Sequence, residues 1–472
     1  MNFWDAASSL PTFPLIALAV ALVIAFAFEF INGFHDTANA VTTVIYTRSL
    51  PATPAVLYSG FMNFLGVLVG GTAVAFGIVN LLPVDLLVDS RSGAALVMVL
   101  SLLLAGVIWN LGTWYFGLPV SSSHTLIGSI LGVGIANSLW NADYKFSGVN
   151  WAKLTETGAA LLLSPVLGFV GAGLILLLMK AVVKNRKLYT PPEGDDRPPT
   201  WIRSILILTC GGVSFAHGSN DGQKGMGLLM LVLIGFMPLH YALNVKHPEL
   251  APKVVAAAGD VRAALAKAER PVPAKLDAEL KLLEERLAGV TDFNDTTHLP
   301  LDKDIRWEVR QNCILAAKEI KKLEDDKVAR LPDDARKALK KARTQGITPA
   351  VEFVPLWAVV GTALALGIGT TVGYKRIVVT VAEKIGKQHL TYAQGAAAET
   401  MATITIFGAA ELGLPVSTTH VLNSGVAGTM VANGTGVQPV TVKKILLAWV
   451  ATLPACILLA GGLFMVGRLV FG

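Results

Sequence analysis

The chain has 472 residues, a formal charge of +6, and 53% hydrophobic against 15% charged residues. Its mean hydropathy of +0.57 excludes an ordinary soluble domain, because 21 of the 39 Lys and Arg fall between 244 and 350 and leave the remainder more apolar still. Basic and acidic residues are mixed, so no nucleic-acid-binding face is expected. The single cysteines Cys210, Cys313 and Cys456 offer neither a disulfide framework nor metal-ligand spacing.

In chain order, residues 1–11 carry no Lys or Arg, so no cleavable leader is expected and the apolar run 15–30 reads as a retained span. It runs into FINGFHDTAN at 30–39. Further runs near span length occupy 94–109, 158–179, 356–372 and 445–466. The segment GLPVSSSHTL lies at 117–126, a polar linker at 184–200, and FAHGSNDGQK at 215–224 within the second apolar region, 201–243. A charged stretch fills 244–350. Residues 351–472 are apolar again and contain GLPVSTTHVL at 413–422.

These segments are two pairs. Asp36 aligns with Asp221 and Gly33 with Gly218, while the two Ser/Thr-rich segments are identical at seven of ten positions. The Asp motifs are 185 positions apart and the Ser/Thr motifs 296, so 111 extra residues sit in the second half, matching the charged stretch. The expected organisation is a first membrane repeat (1–183), a linker (184–200), a second repeat in two parts (201–243 and 351–472), and an inserted element (244–350). The fold class read from this is an all-α polytopic membrane protein of two inverted repeats with re-entrant helical hairpins, plus an inserted water-soluble helical element. Within the insert, 254–286 and 305–341 have helical spacing, broken by Pro271, Pro273, Pro300 and Pro332. A solvated helical hairpin without chemistry and a regulatory docking element are both open. Six Lys and Arg at 180–203 favour a cytoplasmic linker and insert; Lys375, Arg376, Lys384 and Lys387 vote the other way.

The paired motifs carry the chemistry. Leu-Pro at 118–119 and 414–415 marks a helix break and a new start, expected at 119–139 and 415–431. Ser121, Ser122 and Ser123, with Ser417, Thr418 and Thr419, would then occupy first turns, where free backbone N–H groups and the helix dipole favour an anion. Capping and helix-to-helix hydrogen bonding are the plainer uses of the same hydroxyls. A mid-membrane carboxylate costs roughly 2.5–3.5 kcal/mol on insertion scales, so Asp36 and Asp221 should be paired or functional. Two carboxylates beside an anion imply a bridging cation, a protonated acid, or a proton carried by the anion itself. A structural Asp221–Lys224 pair is the plain alternative for one half. Position, more than proton relay, is the expected role of His124 and His420.

At these motifs the chain resembles the inorganic phosphate transporter (Pit) family, whose duplicated G-x-N-D-x-x-N-A type signature is matched by GFHDTANA at 33–40 and GSNDGQKG at 218–225, with paired hairpins matched by PVSSSHT and PVSTTHV. The resemblance covers nearly all of the chain outside the insert. It implies a non-enzymatic secondary transporter of a bacterial inner membrane. Inorganic phosphate would be bound by Ser121, Ser122, Ser123, Gln223, Ser417, Thr418 and Thr419, and coupling would involve His35, Asp36, Asn39, Asn220, Asp221 and Lys224. No cofactor is implied. Divalent metal ions travelling with phosphate, and a homodimer in the lipid bilayer, are open options. His35 replaces the Asn of sodium-coupled members, and Lys224 stands where the first copy has Asn39, which favours protons over sodium. A sodium-coupled symporter, a sulfate permease of the same superfamily, a channel, and a membrane enzyme acting on a phosphorylated lipid are the alternatives.

Overall fold

The computed structural model describes residues 3–81, 94–140, 149–192, 198–300, 302–325, 331–374, 378 and 385–471. Lys375, Arg376 and Lys384, three of the charges that bear on orientation, lie outside these. The regular structure is helical: α1 (Thr12–Tyr46), α2 (Ala52–Val69), α3 (Ala73–Val79), α4 (Ala94–Tyr115), α5 (Ser122–Trp140), α6 (Trp151–Val182), α7 (Thr200–Phe236), α8 (Leu250–Lys267), α9 (Ala274–Arg286), α10 (Lys303–Asp325), α11 (Asp333–Lys341), α12 (Leu356–Thr370), α13 (Tyr392–Glu411), α14 (Thr418–Asn433) and α15 (Pro439–Phe471), with short turns between. Among the described residues, five helices are long and apolar enough to cross a membrane: α1, α2, α4 from Leu96, α6 and α15. The run at 356–372 is helical for 15 residues, about 22 Å at 1.5 Å per residue and so shorter than a hydrocarbon core.

The chain divides into two compact units, 1–15 with 233–354, and 16–232 with 355–472. In the larger unit the helix pairs are reciprocal. Helix α5 packs on α15 and α14 packs on α6; α2 packs on α12; α4 packs on α5 and α13 on α14. Small residues make these approaches possible. A Cβ on Gly132 of α5 would strike the Ile457 carbonyl of α15, and one on Gly428 of α14 would strike the Phe169 carbonyl of α6. Gly132 and Gly428 occupy equivalent places in the two halves, as do Gly33 and Gly218. Gly33 is pressed against Leu366 and Thr370 of α12, and Gly218 against Asn63 of α2.

The smaller unit has its own apolar core. Val254, Val261 and Leu265 of α8, Leu276, Leu280 and Leu283 of α9, Cys313 and Ile320 of α10, and Leu339 of α11 are buried. Proline sets the breaks: Pro273 immediately precedes α9 and Pro332 precedes α11, where a residue without an N–H costs the helix nothing. Arg262 of α8 pairs with Asp277 and Glu284 of α9. Arg310 closes the base. Its guanidinium is 1% exposed and donates to the carbonyls of Ala242 (2.8 Å) and Val351 (2.9 Å), where the chain arrives and departs. Asn244 adds N–H···O bonds to Ala350 (2.8 Å) and, from its side chain, to Pro349 (3.1 Å). Burial pulls the Arg310 guanidinium down to about 10, which still leaves it charged at neutral pH.

Cys313, one turn beyond Arg310, is buried and its thiol is pushed up to about 12 by desolvation. It reports opening of this unit. Arg310→Met strands two carbonyls and should destabilise the unit by roughly 2–4 kcal/mol. Maleimide labelling of Cys313 in the intact chain, located by peptide mass spectrometry, should then accelerate about thirtyfold or more. An unchanged labelling rate would show that the base of the unit does not depend on Arg310.

Candidate functional site

Two matching chain reversals build the site. After α4 the chain turns at Gly117 (φ 65°) and after α13 at Gly413 (φ 68°), left-handed positions that favour glycine. The hydrogen bonds repeat: Leu118 N–H to Thr113 O (3.0 Å) and Leu414 N–H to Ala409 O (2.9 Å). Helices α5 and α14 then start at Ser122 and Thr418. Ser417 caps α14 by accepting from His420 N–H at 3.1 Å, and Ser121 does the same for His124 N–H at 3.2 Å. These two hydroxyls therefore serve as caps. His124 and His420 face each other with ring centroids 4.6 Å apart, and His420 stacks on Trp449 at 3.8 Å. The Trp449 indole N–H donates to Pro119 O at 3.0 Å, bracing the first reversal.

The first-turn hydroxyls meet the carboxylates. Ser122 Oγ lies 3.4 Å from Asp36 Oδ2 and 3.3 Å from Asp221 Oδ2, so one hydroxyl is shared by both acids. Thr418 donates to Asp36 Oδ2 (3.2 Å) and Thr419 to Asp36 Oδ1 (2.7 Å). Asn39 Nδ2 reaches Thr419 Oγ1 (3.0 Å) and Asp36 Oδ1 (3.3 Å). Lys224 Nζ bonds Asp221 Oδ1 (2.6 Å), Ser123 Oγ (2.5 Å) and Val416 O (2.9 Å). All of these side chains are buried, so the charges interact at low effective dielectric.

The remaining expected residues stand around this cluster. His35 Nδ1 is 3.4 Å from Asp36 Oδ1, and its Nε2 is 3.5 Å from Thr113 Oγ1. Asn220 braces the second reversal, donating to Leu414 O at 3.1 Å and accepting from Val416 N–H at 3.5 Å. Gln223 is directed elsewhere: it donates to Gly70 O (2.5 Å) and Ser219 O (2.7 Å) and accepts from Val74 N–H (2.7 Å), holding the break between α2 and α3.

Two residues join the cluster that the motif reading passed over. His217 Nε2 is 3.4 Å from Asp36 Oδ2 and 3.6 Å from Asp221 Oδ2, and Asn32 Nδ2 is 3.5 Å from Asp221 Oδ2. They are equivalent positions, each four residues before its half's Asp, so the register of the repeats contained the signal. Asn63 Nδ2 donates to Thr370 Oγ1 (2.9 Å), which leaves Asn63 Oδ1 to accept from His217 Nδ1 (2.9 Å). The His217 Nε2 that faces the carboxylates then either carries a second proton or presents a lone pair to two acceptors. Asp36, His217 and Asp221 offer ligand-type atoms all within 4.8 Å of one another. Such a group holds a proton or one shared cation and is unfavourable without either.

Comparison with known proteins gives one consistent result. The model of the phosphate transporter family matches residues 32–460. The chain is 42% identical to the low-affinity inorganic phosphate transporter PitA of Escherichia coli K12, over 95% of this chain and 96% of that protein. It is 41% identical to PitB of the same organism, covering 96% of each, and 26% identical to a probable low-affinity inorganic phosphate transporter of Bacillus subtilis, covering 97% and 99%. Among solved structures, a sodium-dependent phosphate transporter superposes with a TM-score of 0.55 at 21% identity, over 96% of this chain and all of the other; this likeness concerns the fold.

The Lys224–Asp221 pair predicts an asymmetry in stability. Lys224→Met alone leaves a buried carboxylate without its counter-ion and should cost about 3–5 kcal/mol. The double variant Lys224→Met/Asp221→Asn removes both charges and should recover most of that loss. Thermal unfolding of purified protein in detergent checks this; equal melting temperatures for the single and double variants would dissolve the pair as a structural unit.

Proposed function

Since this chain belongs to the phosphate transporter family, we propose that it imports inorganic phosphate across a bacterial inner membrane, coupled to protons, by alternating access. The observation that carries this reading is the meeting of two helix starts, α5 and α14, at one buried group of Asp36, Asp221, His217 and Lys224. Helix starts present unpaired N–H groups to an anion, and the first-turn hydroxyls of Ser122, Thr418 and Thr419 are the donors a phosphate would take over from the carboxylates, while Ser123 donates to Val416 O and accepts from Lys224.

Charge balance supports the proton. With His217 neutral, the group of Asp36, Asp221 and Lys224 carries a net charge of −1, which opposes an incoming anion. A proton on His217 or on a carboxylate removes that charge. Lys224 supplies the fixed positive charge that a mobile sodium ion would otherwise provide. Moving each uncompensated charge through a potential of 100 mV costs about 2.3 kcal/mol, so co-transport of a proton, or of phosphate as a neutral divalent metal complex, lowers the barrier. The reciprocal packing of α5 on α15 and α14 on α6 supports a pseudo-two-fold design of inverted repeats whose halves rock about the site. In this reading residues 244–350 form a cytoplasmic element that is not part of the transport machinery.

A second reading rests on the Asp36–His217–Asp221 group: a metal cation, sodium or divalent, is the coupling species there. Uptake of labelled phosphate into proteoliposomes separates the two. Accumulation under an inward proton gradient with sodium replaced by choline supports the proton; strict sodium dependence supports the cation. Asp36→Asn and Asp221→Asn should each cut uptake by roughly a hundredfold, about 2.7 kcal/mol, while folded protein stays in the membrane. Near-normal uptake by both variants would remove the carboxylates from the mechanism.

A further inference from the structure

Glu29 sits on α1 two turns before Asp36 and one before Asn32. Its residue is 0% exposed, and the only polar side chain that bears on its carboxyl as a hydrogen-bond donor among the described residues is the Asn32 amide, which forms no well-aligned bond to either oxygen. It lies against the second motif helix: a Cβ on Gly225 of α7 would run into Glu29 Cγ, Cδ and Oε1. Gly225 follows Lys224, so the carboxyl is next to the residue that neutralises Asp221. The charged groups acting on Glu29 are Asp221 and Lys224 from α7 and Asp36 from its own helix. Helices α4 and α12 also pack on this stretch of α1, through Gly106 against Phe28 and Gly361 against Phe26. Helix α12 has no acid or base, and α4 has only Tyr115 at its end.

A buried carboxyl with no more than one amide beside it and no counter-ion bonded to it is costly as an anion and tolerable as the neutral acid. One ammonium acts on two acids here, bonded to Asp221 and exerting its charge on Glu29. While Lys224 pairs with Asp221, Glu29 has no bonded counter-ion; when substrate engages the Asp221 region, the same ammonium, whose charge already acts on Glu29, is released to serve it. We propose that Glu29 is a proton carrier of the coupling cycle, taking a proton from one aqueous side to form the neutral acid and releasing it to water on the other side as Lys224 becomes its counter-ion. This rests on the proton-coupled reading above. It also gives Gly225 a reason, since any side chain there would displace the carboxyl.

The test is phosphate transport by the full chain in proteoliposomes, measured in two modes: accumulation of labelled phosphate under an imposed gradient of about two pH units, and exchange of labelled for unlabelled phosphate at equal pH. Glu29→Gln, a permanent mimic of the neutral acid, should lower accumulation by roughly tenfold or more while exchange persists and loses its pH dependence. Wild-type accumulation in the variant, or parallel loss of both modes, would overturn the proposal, because a purely structural role moves the two together. Wild-type protein that exchanges phosphate but ignores the proton gradient would overturn the proton-coupled reading and this inference with it. Should Glu29→Gln fail to reach the membrane, Glu29→Asp carries the test: it should retain accumulation with a displaced pH midpoint of exchange, and an unchanged midpoint would overturn the assignment.

Discussion

A lysine ammonium at 1% exposure has to find acceptors, and Lys224 finds three: the Asp221 carboxylate, the Ser123 hydroxyl and the Val416 carbonyl. Those acceptors belong to α7, to the start of α5, and to the reversal before α14. One cation thus ties a motif helix to both hairpin starts, and Ser123 closes the link by donating its own hydroxyl to Val416 O at 2.7 Å. The Asp36 side lacks such a cation and is held by hydroxyls and an amide from Thr418, Thr419, Ser122 and Asn39. The two halves therefore share a backbone plan and differ in electrostatics, the first half being the more negative.

That difference bears on how a symmetric scaffold would treat a charged solute in the proposed reading. A strictly symmetric site with two bare acids would repel an anion, and one with two lysines would hold it too firmly to release. One lysine, two acids and two imidazoles are a group whose net charge a single proton would change, away from bulk water, where one charge matters most.

Repetition is why so much of this was readable from the amino-acid sequence. Asp36 with Asp221, and the Ser/Thr segments with each other, identified the elements that converge, and Leu-Pro placed the starts of α5 and α14 to within a few residues. Local pattern could not say which hydroxyls would cap and which would face the acids: Ser121 and Ser417 cap, and that depends on which residue is the last before helical geometry begins. Nor could it reveal Gln223 reaching the α2–α3 break, a contact across about 150 positions. His217 and Asn32 were within reach, since each precedes its half's Asp by one helical turn; they were passed over because their residue types differ between the halves, and identity was the guide. The prolines at 273 and 332 announced the helix starts of the charged region, but its buried arginines, Arg306 and Arg310, could not be told from surface ones by composition.

The glycine contacts bear on how the protein is made. Gly33 of α1 faces Leu366 and Thr370, more than 330 residues later in the chain, and Gly132 faces Ile457. Closing such long loops is slow relative to local helix formation. During synthesis the first half must wait in the bilayer with its glycine-lined surfaces unfilled and Asp36 without the threonines of α14. The final packing of the first half therefore depends on α12, α14 and α15, the segments made after the charged region.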